Sequence, residues 1–148
     1  MIRAERGATG FRAVGEAPLP EPDLASFQWA CHTAARTARL RVRARDTGVA
    51  ASYRAVDIGG TAVLAHCTLP VVAFTAVPVV PAGPVREFVD PPGWAGVFAE
   101  VGFRALGGEE LGVGIDRVDL RDLAEAELRQ VRYWRPRTLG ELMFNRWD

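Results

Sequence analysis

Every cysteine and every histidine of the chain lies in one of two dipeptides, Cys31-His32 and His66-Cys67. A thiol beside an imidazole is the material of a Cys/His nucleophilic dyad, because histidine titrates near neutral pH and can take the thiol proton. The same four side chains are also zinc ligands by type. Either chemistry becomes available if a helix carrying residues 31 and 32 packs on a strand carrying His66. The spacing argues against a shared ion, since adjacent residues of a strand point to opposite faces and no C-x-x-C or H-x-x-x-H pair is present. The plainer reading makes both cysteines small core hydrophobes and each histidine a hydrogen-bonded polar neighbour, and it is preferred. No metal is expected. His32 and His66 remain the candidate catalytic residues for any acid–base chemistry.

A second candidate lies in the tail, Arg129-Gln130-Val131-Arg132-Tyr133-Trp134-Arg135-Pro136-Arg137. Arginine interleaved with aromatics grips carboxylates through its planar fork, stacks on bases, or anchors a protein–protein contact. The competing reading is internal, with Tyr133, Trp134, Phe144 and Trp147 docking the last helices on a sheet. The arginines would then pair with Glu125, Glu127, Glu141 or Asp148, and packing is the favoured expectation. A third basic run, Arg39, Arg41, Arg43 and Arg45, alternates strictly and reads as the solvated face of a strand.

Composition narrows the chemistry. The chain has 148 residues, and its 18 basic residues, all arginine, balance 18 acidic ones. Without lysine there is no Schiff base, no pyridoxal phosphate attachment and no P-loop lysine. Neither Ser26 nor Ser52 has the glycine setting of a nucleophile elbow, and no G-x-G-x-x-G follows a strand, so no cofactor is expected. Asp116, Asp119 and Asp122 read as helix caps and a solvated turn rather than a calcium loop. Zero net charge gives no pull toward nucleic acid or an anionic membrane. The start has no apolar run of signal type, and two cysteines make no disulfide framework, so cytoplasmic residence is expected. Between Asp57 and Arg86 lie 28 residues without formal charge. Four prolines divide them into strand-length, β-branched pieces, which reads as buried sheet and not as a membrane span.

The elements that must position these residues follow from periodicity. The first 22 residues read as extended and loosely held, ending in Pro18-Leu19-Pro20-Glu21-Pro22. Asp23 can cap a helix over 23–37, because Leu24, Phe27, Cys31, Ala34 and Ala38 keep helical spacing. Phe27, Trp29, Cys31 and Thr33 also alternate, so helix leads strand by a narrow margin. Strands are expected at 39–45, 49–56, 61–67 and 71–77, the first three joined by short turns as a meander. A helix over 94–101 closed by Gly102, a short strand at 103–106 and a loop from Gly107 to Gly114 come next. Asp119 or Asp122 starts a helix to about Trp134, Pro136 stops it, and the capping box Thr138-Leu139-Gly140-Glu141 starts the last. The expected class is α+β in one domain, an antiparallel β-meander followed by two to three C-terminal helices packed on one face.

Tyr133-Trp134-Arg135-Pro136, Gly140-Glu141, Phe144-Asn145 and Trp147-Asp148 resemble the C-terminal signature of an uncharacterised family encoded in natural-product biosynthetic gene clusters of high-GC Gram-positive bacteria. The resemblance covers about the last 16 residues, with a weaker echo at His32-Thr33-Ala34. Members are often longer, so this chain reads as a reduced version. The resemblance implies a pathway setting and supplies no reaction. The expected function is therefore an accessory or binding protein that recognises a pathway enzyme, intermediate or product. The binding residues would be Arg132, Tyr133, Trp134, Arg135, Asn145 and Trp147. The alternative is a small cofactor-independent cyclase or isomerase using His32 or His66. A homodimer is a further expectation.

Overall fold

The computed structural model describes residues 2–47, 51–76, 78–79 and 85–145. Its centre is a mostly antiparallel sheet with β2 (Val42–Arg45), β3 (Tyr53–Ile58), β4 (Thr61–His66), β5 (Val71–Thr75) and β6 (Phe88–Val89) side by side in chain order. The β1 strand (Ile2–Arg3) lies outside this sheet and pairs in parallel with β8 (Val118–Asp119). The sheet is not a strict meander, because β7 (Arg104–Ala105) returns to run parallel to β5.

Strand β4 is buried at every position from Ala62, and β5 throughout, because helices cover both faces of the sheet. That explains the long uncharged stretch: a strand covered on both sides loses the polar half of its alternation. Val56, Ile58, Val63, Ala65, Val72 and Phe74 face α1 (Leu24–Ala38) and α2 (Gly96–Glu100). Ala55, Ala62, Leu64, Val71 and Ala73 face α3 (Gly108–Leu111), α4 (Glu125–Trp134) and α5 (Leu139–Met143). The C-terminal helices thus share one face, and the earlier helices take the other. No helix among the described residues is long and apolar enough to cross a membrane.

Residues 24–38 are helical. Asp23 accepts from Ala25 N at 3.1 Å, and Phe27, Ala30, Cys31, Ala34 and Ala35 are buried. Trp29, which an alternating strand would bury beside Phe27 and Cys31, is half exposed. Strand β2 starts at Val42, since Arg39 sits in the left-handed region as the C-cap of α1, and it forms one edge of the sheet. Strand β3 runs on through Asp57 and Ile58, leaving Gly59-Gly60 as the turn; residues 48–50 and 77 lie outside the described set.

Three expectations are corrected. The stretch 107–114 contains α3, which buries Leu111. Neither Asp119 nor Asp122 caps α4, whose first residue is Glu125. Asp119 is in β8, where Arg121 N (3.0 Å) and the Arg121 guanidinium (2.7 Å) hold its carboxyl below the usual range. The N-terminal segment is also tied down over residues 2–10. Ala4 N donates to Asp119 O at 2.9 Å, and Ala4, Ala8 and Thr9 are buried.

Candidate binding surface

The chain from α4 to α5 makes a corner that is held from below. Arg135 N donates to Val131 O, ending α4, and buried Pro136 cannot continue it. Ile115 N donates to Arg137 O and Leu139 N to Val113 O, both at 2.9 Å, so neighbouring backbone grips each side of the turn. Thr138 then caps α5, its Oγ1 accepting from Glu141 N at 3.2 Å, while Glu141 reaches back to Arg137 N. Gly140 lies so close to its neighbours that a Cβ there would sit 2.7 Å from a ring carbon of Phe88 and 3.1 Å from Leu111 O.

On this fixed corner the aromatics point outward. Tyr133 is 77% exposed and Trp134 43% exposed, which corrects the expectation that they dock helices on the sheet. The two rings meet edge to face with centroids 5.0 Å apart, and the Trp134 indole N–H donates to Gln130 Oε1 at 3.0 Å. The pair is therefore held edge to face outside the buried core. Four arginines and no acid lie between Leu128 and Gly140. Arg132 reaches Glu125 at 3.2 Å and Arg137 reaches Glu141 at 3.4 Å, both in the open. Among the described residues Arg129 and Arg135 have no ion pair. Arg135 also holds φ of 51°, the left-handed region that favours glycine.

Of the other proposed binding residues, Asn145 works inside the protein. Its side-chain amide donates to Glu141 O and Leu142 O, and its backbone N–H donates to Ser52 Oγ. Trp147 lies outside the described residues.

The histidines do not meet. Cys31 belongs to the α1 face of the sheet, whereas the His66 ring lies on the other face against Phe144, with centroids 5.6 Å apart. His32 is exposed on α1. His66 is buried, its Nε2 lies 2.8 Å from Ala8 O, and its Nδ1 accepts from Thr68 N and Leu69 N at 3.2 Å. These partners fix a neutral ring with the proton on Nε2, and burial pushes its pKa down to about 4. Both nitrogens are spent on backbone, so His66 has no lone pair for a substrate. Burial likewise pushes the Cys31 thiol up to about 12 and raises Cys67. Among the described residues no three His, Cys, Asp or Glu side chains converge as metal ligands. In the arginine stripe, Arg45 is bound to Asp57, and Arg41 and Arg43 are solvated.

Glu127, expected as a partner for the tail arginines, is instead fully buried and bonded to backbone and Thr9. Its carboxylate accepts from Gly7 N (3.0 Å), Thr9 N (3.2 Å), Thr9 Oγ1 (2.6 Å) and Ala124 N (2.9 Å). The available signal was a glutamate three residues past the N-cap Ala124, half of a capping box without its serine or threonine. Comparison with protein-family models, curated proteins and solved structures finds no match for this chain.

Proposed function

We propose that the protein is a non-catalytic accessory protein that docks through the end of α4 on an acidic surface of a partner protein, in the natural-product pathway setting its C-terminal signature implies. The observation that supports this reading is the Tyr133–Trp134 pair, ordered, exposed and surrounded by arginines. Trp, Tyr and Arg are the residues that most often dominate binding energy at protein interfaces. Two large aromatics in water add little to folding, so their order is better explained by a partner than by the core. Four arginines set the sign of that partner's surface, and arginine forks match carboxylates in pairs. The acid–base reading has lost its base in His66, and among the described residues no carboxylate bonds to His32.

The test is a binding assay of the purified protein against each protein encoded beside it. An acidic neighbour should bind, and the double variant Tyr133→Ala/Trp134→Ala should weaken that binding by about 1,000-fold, from roughly 2 kcal/mol per anchor. The same variant should shift the unfolding free energy by less than about 1 kcal/mol, since neither ring is in the core. No bound neighbour, or equal binding by the double variant, overturns the proposal. Retention on DNA or RNA in place of a protein would overturn it in favour of nucleic-acid recognition.

A further inference from the structure

A cavity of about 480 Å³ opens beneath the first turn of α1, with Ala65, His66 and Cys67 at the end of β4 in its lining. Its volume lies inside the range of small-molecule sites, about 300–1,000 Å³. Leu24, Phe27 and Phe103 form apolar wall, and Phe27 and Phe103 stand with ring centroids 6.0 Å apart. Cys67 contributes a half-buried thiol. Two charges stand at the opening, Arg54 and Glu21, both exposed. Arg54 is fixed on β3 opposite Ala65 of β4, and Glu21 is on the segment leading into α1. Both line the same cavity, yet they form no ion pair with each other. Among the described residues neither side chain has a hydrogen-bond partner, whereas the third charge there, Asp23, is spent on capping Ala25 N and on Ser26 Oγ.

A free guanidinium and a free carboxylate over an aromatic pocket call for a ligand with both charges and an apolar body. An anion alone would meet Glu21, and a cation alone would meet Arg54. We infer that this cavity binds an apolar α-amino acid as its zwitterion, with the carboxylate on Arg54, the ammonium on Glu21 and the side chain against Phe27 and Phe103. The site shares no residue with the α4 surface, so the two readings stand or fall separately.

Calorimetric titration of the full chain with L-phenylalanine and L-leucine tests it, beside 3-phenylpropionate and phenethylamine, which each lack one charge. At least one zwitterion should bind, and the corresponding single-charge analogues should bind about tenfold weaker or worse, as expected for loss of one charge-assisted contact. Arg54→Gln should weaken the zwitterion by a similar factor with an unchanged melting temperature, because Arg54 is exposed and unpaired. Bound ligand should also slow alkylation of Cys67 by iodoacetamide. Absence of binding by both amino acids at millimolar concentration overturns the inference, as does equal binding of the single-charge analogues or an Arg54→Gln variant that binds like the wild type.

Discussion

His66 shows how a residue of catalytic type becomes structural. Its ring closes a gap between the N-terminal segment, the β4–β5 turn and Phe144, and each nitrogen meets a fixed backbone partner. The neutral form is required there, so stability depends on pH with a definite sign. In the unfolded chain the imidazole takes a proton near its ordinary value of 6.5, whereas in the folded protein it resists protonation down to about 4. The folded state is then fully favoured above pH 6.5 and loses ground as the pH falls toward 4, by about 3 kcal/mol over that window. Urea unfolding at pH 7.5, 5.5 and 4.0 should show this decline. A stability profile flat across the three values would contradict the neutral-ring assignment. The identity of His66 was plain in the sequence, but its partners were not, because Ala8 lies 58 residues away and contributes only a carbonyl.

At the scale of elements, the end of α4 combines two features that folding alone would not select together. Arg135 occupies a left-handed position, costing about 1–2 kcal/mol relative to glycine, and among the described residues its exposed guanidinium has no ion pair. Arg135→Gly should therefore stabilise the protein by about 1 kcal/mol while weakening partner binding. Thermal unfolding and the binding assay read the two effects separately, and a variant that is less stable would show that Arg135 is there for structure. Helices α1 and α5 were legible locally, because Asp23 and Thr138 cap them and apolar residues keep the period. Helix α4 was legible in its end, set by Pro136, but its start lay deeper in the chain than the aspartates suggested. Ala124 carries no capping side chain, and Glu127 satisfies the first turn from inside the protein.

Across the whole molecule, Glu127 is what joins the two ends of the described chain. Its carboxylate binds Gly7 and Thr9, 118 to 120 positions away, and among the described residues no cation offsets its burial; four N–H and O–H donors do so. Glu127→Ala would leave those donors without their acceptor and should cost about 3 kcal/mol or more. Amide exchange at Gly7 and Thr9 should quicken in this variant, and unchanged protection there would refute the role. The glycines beside them belong to the same arrangement. Gly10, at φ of 74°, passes so close to Ser52 and Cys67 that a Cβ would stand within 2.9 Å of both side chains.

The residues of the C-terminal segment divide along the same line. Pro136, Gly140 and Phe144 are packed, Glu141 and Asn145 bond to backbone, and Tyr133, Trp134 and Arg135 are left outside. The sequence by itself determined the buried strands, the Thr138 cap and the exclusion of lysine chemistry. Those features rest on periodicity, turn residues and side-chain types, which act over a few positions. Only the tertiary structure decided that Cys31 and His66 lie on opposite faces of the sheet, that Glu127 is buried, and that Tyr133 and Trp134 are exposed. Each of these depends on which faces the sheet and helices bury against one another, and local spacing carries no record of that choice.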